Sequence, residues 1–224
     1  MQTAELTFQV PERASVSAIL IRPPSATLLY VLAHGAGAGM RHPFFEGMAR
    51  ALAERDVATF RYQFPYMEAR RRSPDRPDVA EATVRAAVAA AQRAAGDLPL
   101  IAGGKSFGGR MTSQAASKEP LPGVRGIAFL GFPLHAPKRP GNARAEHLAQ
   151  VTVPMLFLQG TRDDLADLEL MRGVIERLAR RTTLHVVDGG DHSFKLPMAA
   201  GRSSAAVWDE LAGVIAGWGR GLVS

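Results

Sequence analysis

Four segments of this chain are largely apolar runs, and each feeds directly into a glycine-bearing turn: Thr27–Ala33, Leu98–Gly103, Gly126–Leu130 and Val153–Leu158. A strand buried on one face only alternates apolar with polar residues. An uninterrupted run needs apolar surroundings on both faces, which is the setting of a largely parallel sheet covered by helices. Amphipathic segments separate the runs, at Phe44–Glu54, from a capping Asp78 to Ala95, at Ser106–Lys118, Leu165–Arg180 and Ala205–Trp218. Adding Leu6–Val10, Ala18–Arg22, Val57–Arg61 and Thr183–Val187 predicts about eight strands. Parallel strands joined through helices take right-handed crossovers and gather ligands at their carboxyl ends. Those ends are where chemistry is expected.

One of them carries Gly103-Gly104-Lys105-Ser106-Phe107-Gly108-Gly109, which contains G-x-S-x-G directly after an apolar strand and before a helical segment. A serine on such a sharp turn holds its hydroxyl above the sheet, and the flanking glycines remove side chains that would strike neighbouring backbone. The helix that follows presents free N–H groups where an oxyanion would form. A serine that merely caps a helix would not need this context. A phosphate-binding loop is excluded because the glycine required further upstream of the Lys-Ser pair is absent.

A serine hydroxyl needs a base to take its proton, and on this kind of turn the acid and then the histidine follow it along the chain. His192 lies in Asp188-Gly189-Gly190-Asp191-His192-Ser193-Phe194, immediately after the last strand. His185 lies inside that strand and reads as a packing residue, so His192 is the predicted base. The preceding strand runs into Gln159-Gly160-Thr161-Arg162-Asp163-Asp164-Leu165. There Asp163 is the predicted acid, while Asp164 and Asp167 read as helix-start caps. Asp191 adjoins the histidine, so its side chain should point elsewhere. The oxyanion hole should pair the N–H of Phe107 with one from the His34–Gly39 loop, most plausibly that of Ala36. His34 reads as a structural hydrogen-bonder of that loop.

Composition narrows the alternatives. Cysteine is absent from the 224 residues, which excludes a disulfide framework, a thiolate metal site and a cysteine nucleophile together. No metal-ligand spacing and no dinucleotide fingerprint occurs, so no cofactor and no metal is implied. The N-terminal residues MQTAELTFQV carry Glu5 and no apolar core of a secretory signal, and no stretch has the length of a membrane span. A cytoplasmic protein of one domain, residues 1–224, is expected, without a membrane partner. The formal charge of +6 is spread over arginines along the whole chain, with one dense cluster at Arg70–Arg72. Scattered charge of that kind reads as solvated faces, not as a nucleic-acid interface.

The segments HGAGAGMRHPF, FPYM, GGKSFGGRM, GFPLHAP, EHL, VPMLFLQGTRD and GGDHSFK span about residues 34 to 195. Together they resemble the dienelactone-hydrolase-like branch of the α/β-hydrolase superfamily. Within it they are most similar to the lid-less group related to the testis-expressed and NSL-complex hydrolase-like proteins. The resemblance implies an eight-stranded α/β-hydrolase fold and a triad of Ser106, Asp163 and His192. Dienelactone hydrolases proper use a cysteine nucleophile, which this chain lacks. Only a loop and one short helix near Ala143–Ala149 fit between Phe132 and Gln150, so no substantial cap domain is expected.

An open site suits small ester or other activated acyl substrates, and the expected activity is that of a serine hydrolase of carboxylesterase type. The strand-end loops hold Arg41, Arg70, Arg71, Arg72, Lys105, Lys138, Arg139 and Lys195, a basic rim that would favour an anionic ester. The competing expectation is a non-catalytic interaction module that keeps the fold, as some members of the resembled group do.

Overall fold

The computed structural model describes residues 1–178 and 181–223. Its strands are β1 (Gln2–Gln9), β2 (Ser15–Arg22), β3 (Leu28–Ala33), β4 (Val57–Tyr62), β5 (Leu100–Lys105), β6 (Val124–Leu130), β7 (Met155–Gly160) and β8 (Thr182–Val187). They form one eight-stranded sheet in the order β1-β2-β4-β3-β5-β6-β7-β8. The β1–β2 hairpin and the β2–β4 pair are antiparallel, and every other neighbouring pair is parallel. Ala33 pairs with Gly104, Lys105 with Leu130, and Leu130 with Leu158. The carboxyl ends of β3, β5, β6 and β7 therefore come out along one edge, with that of β8 beside them. This is an α/β-hydrolase fold.

The period of two along each central strand divides the core. Leu29, Val31 and Ala33 of β3 pack with Met155 and Phe157 of β7 on one face, beneath helices α3 (Pro77–Ala95), α4 (Phe107–Lys118) and α5 (Leu168–Leu178). Leu28, Tyr30 and Leu32 join Leu156 and Leu158 on the other, beneath α1 (Pro43–Ala53) and α6 (Ser204–Arg220). Double-sided burial is thus the cause of the continuous apolar runs. Between β6 and β7 the chain forms a single 3₁₀ helix at Ala143–Gln150, and no cap domain covers the strand ends.

The observed elements depart from the sequence reading at their ends. β1 starts at Gln2 instead of Leu6, because an edge strand needs only backbone pairing; its ladder with β2 runs from Gln2↔Arg22 to Gln9↔Ser15 over mostly exposed side chains. The expected loop Tyr62–Pro77 contains a four-residue helix, α2 (Pro65–Glu68), with proline at its first position. Asp78 does not cap α3: the helix begins at Pro77 after Arg76, and Asp78 sits in the first turn in an ion pair with Arg76. α5 begins at Leu168 and not Leu165, since Asp163 captures the Leu165 N–H and the Ala166 N–H turns back to the Asp163 carbonyl. Asp167 then caps it by accepting the Leu170 N–H. The predicted end of that helix, residues 179 and 180, lies outside the described residues.

An aromatic cluster carries much of the packing under β6 and β7. Phe157 is fully buried, with ring centroids 4.6 Å from Phe129 and 5.9 Å from Phe132. Phe157→Ala is expected to lower unfolding stability by about 3–5 kcal/mol, the usual cost of an unfilled aromatic cavity. Urea denaturation followed by circular dichroism measures it, with the slope unchanged.

Candidate active site

The turn between β5 and α4 is tightly built against its neighbours. Ser106 lies there at φ 50° and ψ −114°, a conformation that costs a non-glycine residue about 1–3 kcal/mol. Packing on both sides imposes it. A Cβ on Gly104, at φ +152°, would lie 2.3 Å from the Ala33 carbonyl oxygen, and one on Gly108 would lie 2.4 Å from that of His34. With glycine at both positions β3 and the turn close onto each other, and Ser106 is left partly exposed at the carboxyl edge.

Two loops converge on it. His192, from the loop after β8, accepts at Nε2 from the Ser106 hydroxyl at 2.9 Å. Its Nδ1–H donates to Asp163 Oδ2 at 2.8 Å, with the Asp163 side chain 0% exposed and that of His192 21%. The hydrogen bond to the carboxylate sets the tautomer, protonated on Nδ1 and free to accept on Nε2. Asp163 Oδ1 accepts the Leu165 N–H, and Gln159 Nε2 donates to Oδ2. Gln159 was not singled out from sequence. It is the buried last-but-one residue of β7, and its other amide atom, Oε1, accepts the Phe132 N–H. A polar side chain closing an apolar run was the available signal.

The remaining predicted residues fall around this centre. A Cβ on Gly35 would be 3.8 Å from Ser106 Cβ, so the loop bearing Ala36 runs directly past the serine. In that loop the Gly37 N–H is taken by the Tyr66 hydroxyl and the Ala38 N–H by the Gly35 carbonyl. Phe107 opens α4. Asp191 turns away, its Oδ1 accepting the N–H groups of Ser193 and Lys195. His185, on the outer strand β8, is hydrogen-bonded through Nε2 to the Glu210 carboxylate of α6. His34 is buried, donating from Nδ1 to the Gly35 carbonyl and accepting at Nε2 from the Phe64 N–H. It is a structural link between the β3 loop and the segment after β4.

In front of the serine lies a cleft of about 610 Å³. Phe44, Phe45, Leu165 and Trp208 give it apolar walls, and Lys195 and His42 give it polar ones. The expected basic rim is much reduced. Arg41 pairs with Glu5 and Arg71 with Asp75, and of the eight basic residues singled out only Lys105 and Lys195 line the cleft. Lys105 is itself 8% exposed and faces inward.

The fold, the serine turn and its two partner loops define a protein of the α/β-hydrolase class. Residues 26–219 match the family described as alpha/beta hydrolase domain, and the chain belongs to that family. Among solved structures it is similar to the dienelactone hydrolase from Anabaena variabilis, with a TM-score of 0.77 at 19% identity over 97% of this chain and 96% of that one. It is similar also to a lid-less α/β serine hydrolase from Xanthomonas campestris, with a TM-score of 0.73 at 20% identity over 98% and 94% of the two chains. The esterase domain of a Rhodothermus marinus protein superimposes with a TM-score of 0.74 at 17% identity, covering 98% of each. At these identities what is shared is the fold.

Burial holds the His34 pKa down, to about 4, against weaker opposing effects of its bond to Gly35 and the charge of Asp75. The unfolded chain then takes up this proton at higher pH than the folded one. The contribution of His34 is present above about pH 6.5 and is lost as pH falls toward 4, by about 3 kcal/mol. His34→Gln keeps both hydrogen-bond roles without the titration, so its unfolding free energy should fall less between pH 6.5 and 4, as measured by urea denaturation at each pH.

Proposed function

We propose that this protein is a serine hydrolase that cleaves small esters through an acyl-enzyme intermediate, with Ser106 as nucleophile, His192 as base and Asp163 as the orienting acid. The observation that carries the reading is the unbroken relay from Ser106 Oγ through the His192 ring to Asp163, at 2.9 and 2.8 Å. In the reaction His192 Nε2 takes the Ser106 proton as Oγ attacks the ester carbonyl carbon. The N–H groups of Ala36 and Phe107 receive the oxyanion, and the buried Asp163 carboxylate stabilises the imidazolium. The imidazolium then protonates the departing alkoxide, leaving an acyl group on Ser106. Water activated by the same histidine releases the acid and restores the hydroxyl.

The open cleft supports small substrates. With no cap over the strand ends, the walls at Phe44, Phe45, Leu165 and Trp208 are what shield an acyl group from water. Lys195 at its mouth supports a preference for an acyl or alcohol part bearing a carboxylate or phosphate.

A fluorophosphonate should label Ser106, and the label should vanish in Ser106→Ala and His192→Ala. Hydrolysis of p-nitrophenyl acetate should fall at least about 10⁴-fold in Ser106→Ala. Folded protein that resists the label would transfer the reading to a non-catalytic interaction module. Turnover of a short ester bearing a carboxylate should decline with added salt while that of p-nitrophenyl acetate holds, and an equal response would remove the anionic preference.

A further inference from the structure

Lys105 is the last residue of β5 and the immediate neighbour of the nucleophile position, and it is buried. A buried ammonium needs partners, because water can no longer solvate its charge. Its Nζ donates to the backbone carbonyl of His192, a residue 87 positions further along the chain. The Phe194 ring stands 5.6 Å from the same nitrogen, close enough for a cation–π contact.

Gly131, at φ +69°, marks how crowded this place is. A Cβ there would lie 3.1 Å from Lys105 Nζ, 3.4 Å from the His192 carbonyl oxygen and 3.5 Å from Asp163 Oδ2. The turn of the serine, the backbone of the base and the carboxylate of the acid thus meet around one cation. The relay uses the His192 ring, whereas Lys105 holds the backbone from which that ring projects.

We propose that Lys105, as an ammonium, is a positioning residue that ties the His192 loop to the Ser106 turn, so that both hydrogen bonds of the relay form together. This rests on the serine-hydrolase reading above. A lysine at this place works by reference: it is covalently adjacent to Ser106, so a bond from it to the His192 backbone measures the base against the nucleophile directly. The loop after β8 is also held by the Asp191 turn, by Phe194 packed against Phe44, and by two bonds to the loop after β7, where the Gly190 carbonyl accepts the Arg162 N–H and the Gly189 N–H donates to Thr161 Oγ1; none of these refers it to the Ser106 turn.

The proposal carries a pH signature. Burial pushes the Lys105 ammonium down to about 8, with the Asp163 carboxylate from the loop after β7 and the Asp191 carboxylate from the loop after β8 acting against the shift. His192 is the other titratable group at this place, on the same loop as Asp191. The charged form therefore prevails below about pH 8 and is lost as pH rises through that value. Above it the neutral amine keeps a weaker bond to the carbonyl and no attraction to Asp163.

The test is the pH profile of p-nitrophenyl acetate hydrolysis in the wild type, Lys105→Met and Lys105→Gln, with fluorophosphonate labelling of each. In the wild type kcat should fall on the alkaline side with a midpoint near 8. Lys105→Met should lower kcat at pH 7 by about 10–100-fold, the effect of a misplaced base, with KM changed less than about twofold. It should also lose the alkaline fall. Lys105→Gln keeps a donor without the charge, so its kcat should lie between the two and lack the alkaline fall as well. A wild type that labels and turns over while either folded variant keeps its kcat within about twofold, or keeps the alkaline fall, overturns the role of Lys105. If neither variant folds, a wild-type profile flat from pH 7 to 9 overturns it and a fall near 8 supports it. A wild type that is never labelled overturns the serine-hydrolase reading instead, and this proposal with it.

Discussion

The close approach of β3 to the turn after β5 governs the rest of the carboxyl edge. Two glycines make it possible: at Gly104 and Gly108 a side chain would strike the backbone of Ala33 and His34. The contact forces Ser106 into a backbone conformation that a serine in an open loop would not keep. The strain is sustained because two parallel ladders, to β3 and to β6, hold β5 in place. Once the serine is set there, the loops after β3, β7 and β8 have a fixed object to assemble around.

The polar groups behind that turn are satisfied with unusual completeness. Asp163 has no exposed side-chain surface and accepts from His192, Gln159 and the Leu165 backbone. His34 spends both ring nitrogens on backbone groups and stays neutral through burial. Lys105 places a cation within the field of the Asp163 and Asp191 carboxylates. In a region of low effective dielectric an unpaired member of this set would cost more than its partnered form gains. The front of the site is different. The cleft is open, walled by aromatic side chains from α1 and α6, and no cap reaches it.

The central strands β3, β5, β6 and β7 were legible because double-sided burial writes itself into sequence as an unbroken apolar run, and the outer strands showed only as shorter β-branched or aliphatic stretches. Strand and helix ends were less so. The polar residues Gln2–Glu5 extend β1 through backbone pairing alone, which side-chain pattern does not report. Leu165–Asp167 was read as the start of a helix, but the Asp163 carboxylate claims the Leu165 N–H and delays the first helical turn to Leu168. The basic rim is reduced for a similar reason. Counting arginines and lysines on loops cannot show that Glu5 and Asp75 stand beside two of them.

Residue type and local order were enough to nominate Ser106, Asp163 and His192, since each sits just past a strand that must end at the same edge of the sheet. Sequence alone also determined the strained turn, because only glycine at positions 104 and 108 permits it. Whether the three side chains meet was a matter for tertiary structure: the partners of His192 lie 29 and 86 residues away, and only the parallel register brings them within 3 Å of its ring. The direction of Lys105 was decided there too. A lysine beside a catalytic-type turn reads as solvent-facing by composition, yet the His192 carbonyl and the Asp163 and Asp191 carboxylates supply it with an interior that only the assembled loops create.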